Sequence, residues 1–278
     1  MTTQQCTRHR LDDVLDFRAD GDHAVTGWTV PEYHNVFGPF GGATAAFVLH
    51  AIDAQADRIG RPLALTVTYA APIGTGRYQV TLNPVRTNRS TQHWTAQVVQ
   101  NGDVKSTATA VFGIRRETFA DTEAVMPWAP NPERCPEPVW PTETAFLRNY
   151  DIRVVAGGPG DRPVASSQSV FWIRHAPARR LDFPALAAVA DVFFPRVFLR
   201  LGGPVPASTI SMTTYFHAGI EELDDVGDDY LLGVARAQCF DSGFFDQQAQ
   251  LWSRAGVLLA TSNQLVYYRD PTATGRSR

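Results

Sequence analysis

The stretch FGGATAAFVLHAIDAQADRIG, residues 40–60, decides the fold. After Phe40-Gly41-Gly42 its apolar residues recur with helical spacing until the run stops at Gly60, so the spacing predicts a helix over 43–60. That helix has almost no polar side, and such a helix must be enclosed. Material to enclose it follows directly in the chain: β-rich runs at 63–71, 77–86, 92–100 and 104–115, the last two separated by the hairpin signal Asn101-Gly102. The order is one long helix, then an antiparallel meander.

Residues 126–141, MPWAPNPERCPEPVWP, carry Pro127, Pro130, Pro132, Pro136, Pro138 and Pro141, and neither a helix nor a central strand persists through them. This reads as a domain linker near the middle of the chain, which invites a search for duplication. Beyond it, FPALAAVADVFFPRVFLRLGG, residues 183–203, reads as a second apolar helix, kinked or ended near Pro195. Runs at 207–217, 229–240, 244–253 and 257–269 again read as strands, and the acidic EELDDVGDD, residues 221–229, as a solvated turn. Ala96-Gln97-Val98 superimposes on Ala249-Gln250-Leu251, residues 102–115 on 256–269 without a gap, and Tyr69 on Tyr215. Each half supplies strands and one helix too apolar to be exposed, which calls for a sheet curled around that helix. The expected fold is therefore α+β, a double hotdog: two antiparallel sheets, each wrapped around a long apolar helix and joined edge to edge or face to face. The expected boundaries are an N-terminal hotdog domain at 1–125, the linker at 126–141, a C-terminal hotdog domain at 142–270 and a disordered tail at 271–278.

Composition narrows the function. A 278-residue chain with 44% hydrophobic and 19% charged residues buries a large core. Its 25 basic and 28 acidic residues leave a net charge of −3, no field to attract nucleic acid. The start has no apolar leader and no apolar run is long enough to span a bilayer, so a cytoplasmic protein with no membrane partner is expected. Cys6, Cys135 and Cys239 are scattered and odd in number, and the seven histidines show no metal-ligand spacing, so neither disulfides nor a metal are expected. There is no GxSxG elbow, P-loop or GxGxxG after a strand, and Gly157-Gly158-Pro159-Gly160 reads as a loop tip.

The informative residues are polar ones that disturb an apolar pattern. Asp191 lies inside ALAAVADVFF, where an ionised carboxylate costs several kcal/mol, on the order of a lost buried hydrogen bond or more, unless it is bonded or solvated by a pocket. The competing reading is a carboxylate that merely bonds a nearby backbone amide. Gln264 falls on the face of Leu258, Ala260, Ser262 and Val266, where the first half has Ala110. Thr209 stands where counting back from the paired tyrosines puts Leu63, although threonine is an ordinary strand residue and Ser208, Ser211, Thr213 and Thr214 make that run polar anyway. Both changes add polarity to the same half. Asp53, near the end of the first helix, reads as part of a solvated face with Asp57.

On these residues the chain resembles the tandem-hotdog acyl-CoA thioesterases of the acyl-CoA thioesterase II type, from Asn35-Val36-Phe37-Gly38-Pro39-Phe40-Gly41-Gly42 to Leu258-Leu259-Ala260-Thr261-Ser262-Asn263-Gln264. The family's catalytic aspartate, in an Ala-Ser-Asp context, matches Ala190-Asp191; its threonine, eight residues before a Phe-His pair, matches Thr209 before His217; its glutamine matches Gln264. The chain departs from the pattern at Ala190 and in VFFPRVF, residues 192–198, whose proline shortens the helix. The resemblance implies hydrolysis of fatty acyl-CoA to fatty acid and CoA by water activated at Asp191, Thr209 and Gln264, with no cofactor and as a homo-oligomer. Phe193, Phe194 and Phe198 are candidates to line an acyl tunnel, Arg86, Arg89, Arg196 and Arg200 to meet CoA phosphates, and Gly41-Gly42 to offer free helix amides, each against an ordinary structural reading. The alternatives are a hotdog enoyl-CoA hydratase or dehydratase, which needs an Asp and His pair, and a non-catalytic acyl-CoA binding protein.

Overall fold

The computed structural model describes residues 8–140 and 144–271. Cys6, Pro141 and all of the expected tail except Pro271 lie outside the described residues. The first half runs α1 (Arg10–Leu15), β1 (Phe17–Ala19), β2 (Ala24–Trp28), β3 (His34–Asn35), β4 (Gly38–Pro39), α2 (Gly41–Asp53), β5 (Arg61–Tyr69), β6 (Arg77–Thr87), β7 (Thr91–Gln100) and β8 (Asp103–Gly113). The second runs β9 (Tyr150–Ala156), β10 (Ser169–His175), α3 (Phe183–Val189), α4 (Val197–Leu201), β11 (Ala207–Phe216), α5 (Ile220–Val226), β12 (Leu231–Arg236), β13 (Phe240–Asp241), β14 (Phe244–Ser253) and β15 (Leu258–Tyr268). Three-residue and five-residue 3-10 turns complete it.

The two expected sheets join edge to edge into one continuous sheet, with β3 and β4 paired apart from it. Thirteen antiparallel strands follow the order β1-β2-β6-β7-β8-β5-β11-β15-β14-β12-β10-β9, with β13 on β14, and the halves join where β5 pairs β11. Edge-to-edge joining leaves no unpaired edge at the centre. At that seam Thr66 faces Thr213, and their hydroxyls lie 2.9 Å apart. Ten of the thirteen residues of α2 are buried, as are all seven of α3, which fits helices with no water-facing side.

The sheet register corrects the internal alignment. Leu65 faces Ala110 in one half and Met212 faces Gln264 in the other, so Tyr69 corresponds to Phe216, not Tyr215, and Thr209 corresponds to Pro62, not Leu63. A one-residue slip would put the two tyrosines on opposite faces, and Tyr215 is indeed exposed. A bulge between Thr209 and Ser211 reverses the alternation, which turns Thr209 inward with Met212. Another, between Leu251 and Trp252, removes Leu258 from the face of Gln264 and packs it near Trp252 on the outer side.

Both helices are shorter than their apolar runs. α2 ends at Asp53 because the polar residues beyond it turn: Asp53 pairs with Arg58 at 3.1 Å and Asp57 with His23 at 3.2 Å, so they do not share a helical face. α3 starts on Asp182, whose carboxylate accepts from the Ala185 amide at 2.8 Å, and stops at Val189. In a helix the ring of Pro195 would strike the carbonyl of residue 191, so Asp191 lies beyond the helix, not inside it. The acidic stretch expected as a turn is α5, because Leu223 and Val226 share a buried face and Glu222 accepts the Gly219 amide at 2.7 Å. Strands β1, β2, β9 and β10 were not legible as runs. The proline-rich segment lies over the outer face of the second half, where Cys135 packs with Trp172 and Trp252 and Trp172 Nε1 donates to the Pro130 carbonyl at 2.8 Å.

The two helices meet at Gly42. A Cβ there would stand 2.6 Å from the Ala188 carbonyl oxygen and as close to the Phe40 ring. Gly42→Ala is therefore expected to push α2 off α3 and to lower stability by about 1–3 kcal/mol in urea unfolding; an unchanged midpoint would show that the helices have room to spare.

Candidate active site

α3 delivers the chain to Asp191 just where α2 begins. The Gly42 amide, one of the unpaired N–H groups of the first turn of α2, donates to the Asp191 carboxylate. A Cβ on Gly41 would stand 2.8 Å from Asp191 Oδ2, so only glycine leaves the carboxylate its place. Tyr69 on β5 holds the same corner, its hydroxyl donating to the Gly41 carbonyl at 2.9 Å. Burial and the nearby Asp191 charge raise the Tyr69 pKa well above its ordinary value and keep the phenol neutral.

From the sheet side, Gln264 on β15 donates from Nε2 to Asp191 Oδ1 at 2.9 Å and accepts the Thr209 hydroxyl on Oε1 at 3.0 Å. The three expected residues thus form one chain, Thr209 to Gln264 to Asp191, drawn from two strands and the end of a helix. Burial pushes the Asp191 carboxyl up to about 7, opposed by the Gly42 and Gln264 hydrogen bonds. The macrodipole of α2 favours a negative charge at this point. The reading of Asp191 as an amide-bonding carboxylate is also satisfied, so the same group ties the two halves together.

All three residues open onto a cavity of about 610 Å³ lined from both halves. Its apolar walls include Phe40, Phe146, Phe193, Phe194 and Phe198, as expected for the last three. Among the described residues no histidine, lysine or arginine lines it, and Asp191 is its sole carboxylate. Arg196 is corrected outright as a phosphate contact: it is 0% exposed, lies over the Phe194 ring at 4.2 Å and donates to the Phe194 carbonyl and Ser169 Oγ. Arg86 bonds Asn88 at 2.8 Å, and neither it, Arg89 nor Arg200 lines the cavity. Among the described residues no three metal-ligating side chains cluster, and no helix is long and apolar enough to cross a membrane.

Sequence reading missed Tyr69 as a site residue, because a tyrosine in a strand is unremarkable until Gly41 is beside it. It also missed Gln247, which faces Gln264 across β14 and β15 and lines the cavity. The available signal was the duplication: the register gives Gln247 the place of Trp94, which faces Ala110.

The chain matches known families and solved structures. The family described as acyl-CoA thioesterase C-terminal domain matches residues 130–268, and that described as acyl-CoA thioesterase N-terminal domain matches residues 30–113. Among solved structures, a hot dog fold protein of unknown function from Alicyclobacillus acidocaldarius is 45% identical, with 95% of this chain and 99% of that one covered and a TM-score of 0.91. An acyl-CoA thioesterase II, TesB2, of Mycobacterium marinum is 18% identical over 94% of this chain and 99% of its own, with a TM-score of 0.74, and a tesB protein of Mycobacterium avium subspecies paratuberculosis is 17% identical over 94% and 98%, with a TM-score of 0.77. Those last two likenesses speak for the fold alone. No curated protein matches the chain. With both halves matched in order and a 45%-identical relative spanning nearly its full length, the chain belongs to the acyl-CoA thioesterase family.

Proposed function

We propose that the protein hydrolyses fatty acyl-CoA to free fatty acid and CoA, with Asp191 as general base and Thr209 and Gln264 orienting the water. The observation that carries this reading is the Thr209–Gln264–Asp191 hydrogen-bond chain opening onto an apolar cavity. Because Thr209 gives its hydroxyl proton to Gln264, its oxygen is left as an acceptor facing the cavity. A water that donates one hydrogen to Thr209 and the other to Asp191 turns a lone pair toward a bound thioester carbonyl. The water oxygen bonds the carbonyl carbon, its proton passes to Asp191, and the carbon–sulfur bond breaks to release the CoA thiolate. A thiol pKa of about 8.5, by analogy with cysteine, makes this leaving group undemanding, and Asp191 can return its proton to it. An ordinary aspartate near 3.9 is a feeble base; at about 7 the same group is still ionised at mildly alkaline pH and far more basic.

The hydratase reading is disfavoured because among the described residues no histidine lines the cavity to pair with Asp191. Its product would be a hydroxyacyl-CoA with no free thiol, so a thiol-release panel of acyl-CoA esters separates the two, and pure binding releases nothing.

Asp191→Asn is expected to reduce turnover by about 10²–10⁴-fold, whereas Asp53→Asn, which disturbs only the pair with Arg58, leaves it near wild type. An Asp191→Asn enzyme retaining half the rate would mean a second working site. The kcat/KM profile should climb through about pH 7 as Asp191 ionises and should fall on the acid side. Raised above its unfolded value, the same pKa means that the native state holds the proton more tightly, so folding stability declines as pH rises from the unfolded pKa toward about 7. Thermal melts of Asp191→Asn should lack that decline; a flat wild-type curve would contradict it. Because two N–H donors already hold the carboxylate, dialysis against a chelator is expected to leave activity intact, and loss with recovery on adding zinc would refute the water-activation scheme.

A further inference from the structure

The second half departs from the first at inward positions of the sheet in a consistent way. By register, Gln247 takes the place of Trp94, Ser262 that of Ala108, and Gln264 that of Ala110, and all three polar side chains are buried. Each reaches the same short segment. Ser262 Oγ donates to the Ala190 carbonyl at 3.1 Å, Gln264 to Asp191, and Gln247 Nε2 to the Phe193 carbonyl at 3.4 Å, while Gln247 Oε1 accepts the Arg196 amide at 3.3 Å. Arg196 adds a fourth grip, its guanidinium donating to the Phe194 carbonyl at 3.0 and 2.5 Å and to Ser169 Oγ at 2.6 Å.

The cause is visible in the helices. α2 continues for 13 residues, its carbonyls satisfied by its own ladder and, at its end, by Ala54, Gln55 and Arg58 just beyond it, and the strands beneath it carry tryptophan and alanine. α3 stops after seven, and the chain that follows runs through a half of the molecule lined with apolar groups. Backbone groups released there need partners, since each one left unpaired costs about 1–3 kcal/mol. The partners are spaced so that one falls just before Asp191 and the others just after it.

We propose that Ser262 and Gln247 are positioning residues: they hold the backbone on either side of Asp191, and so set where its carboxylate stands relative to Thr209 and the first turn of α2. This rests on the hydrolytic reading of the site. Gln264 orients the carboxylate directly, whereas Ser262 and Gln247 act through the peptide groups flanking it. A displacement of about 1 Å in a general base is enough to cost on the order of 100-fold in rate.

The test compares wild type, Gln247→Leu, Ser262→Ala and Ser262→Thr on one acyl-CoA across roughly pH 5 to 9, with thermal melts of each. Val98→Ala, a buried change on β7 in the first half, serves as the control for lost stability. Expected for Gln247→Leu and Ser262→Ala is a kcat about 10- to 100-fold down with KM within about 2-fold of wild type. Their acid limb should move from its wild-type position, because a displaced carboxyl changes both its burial and its hydrogen bonds from Gly42 and Gln264, and Ser262→Thr, which keeps the hydroxyl, should restore most of the rate. Should Gln247→Leu fail to fold, Ser262→Ala, which removes a single oxygen, decides. Wild-type kcat in the variants overturns the proposal, as does a loss with an unmoved acid limb that Val98→Ala reproduces at equal loss of melting temperature. A wild type that releases no thiol removes the hydrolytic reading and the proposal with it; an active wild type with indifferent variants removes the proposal alone.

Discussion

Everything around the site depends on the contact between the Asp191 carboxylate and the first turn of α2. It joins the end of one half's helix to the start of the other's. For it to exist, α3 must stop early, Gly41 must leave room for an oxygen, and Gly42 must let Ala188 come close. Each requirement is met by a residue that looks incidental alone: Pro195 halts the helix, two glycines open the next, and Tyr69 fixes the carbonyl between them. The cavity lies at this junction because no single half could build it.

The halves share one topology, and the join through Thr66 and Thr213 relates them about a local pseudo-twofold axis. Their helices nevertheless solve different problems. α2 is a plain core helix over an apolar sheet face. α3 is truncated, and the sheet face under its broken end has become polar at Ser262, Gln264 and Gln247. Duplication supplies two frames, and differentiation of one of them needs only a proline and a few inward side chains, because the strands already present those positions.

Holding a carboxylate in an apolar junction is unfavourable for folding, and the hydrogen bonds from Gly42 and Gln264 offset only part of the loss of water, since the carboxyl is still pushed up to about 7. On the proposed hydrolytic reading, that imbalance is what suits the group to act as a base: fully compensated, Asp191 would be a permanently ionised anchor, and with no donors it would stay protonated. The site sits between these limits, and charge is kept from spreading because the neighbouring phenol of Tyr69 is held neutral.

By itself the sequence determined the fold class, and with the family resemblance it picked out the polar trio that the structure brings together. Helices apolar on all sides admit no arrangement without enclosure, and an aspartate and a glutamine interrupting apolar patterns stand out without any coordinates, whereas Thr209, in a run already polar, was singled out by the family resemblance and not by its pattern. Hairpin spacing also fixed the match of Ala110 with Gln264. Legibility failed where the signal is not local. The edge strands β1, β2, β9 and β10 are short and owe their pairing to neighbours, α5 hides its two buried residues among acids, and the slip of one residue between Tyr69 and Phe216 is invisible until strands are in register. Only the tertiary structure decided that the two sheets are continuous, that Arg196 is buried and not a phosphate contact, and that Gly42, Tyr69 and Gln247 belong to the site. The physical reason is common to all of these: a backbone amide, a phenol and a buried amide acquire their role from the group placed opposite them, and that group comes from a distant part of the chain.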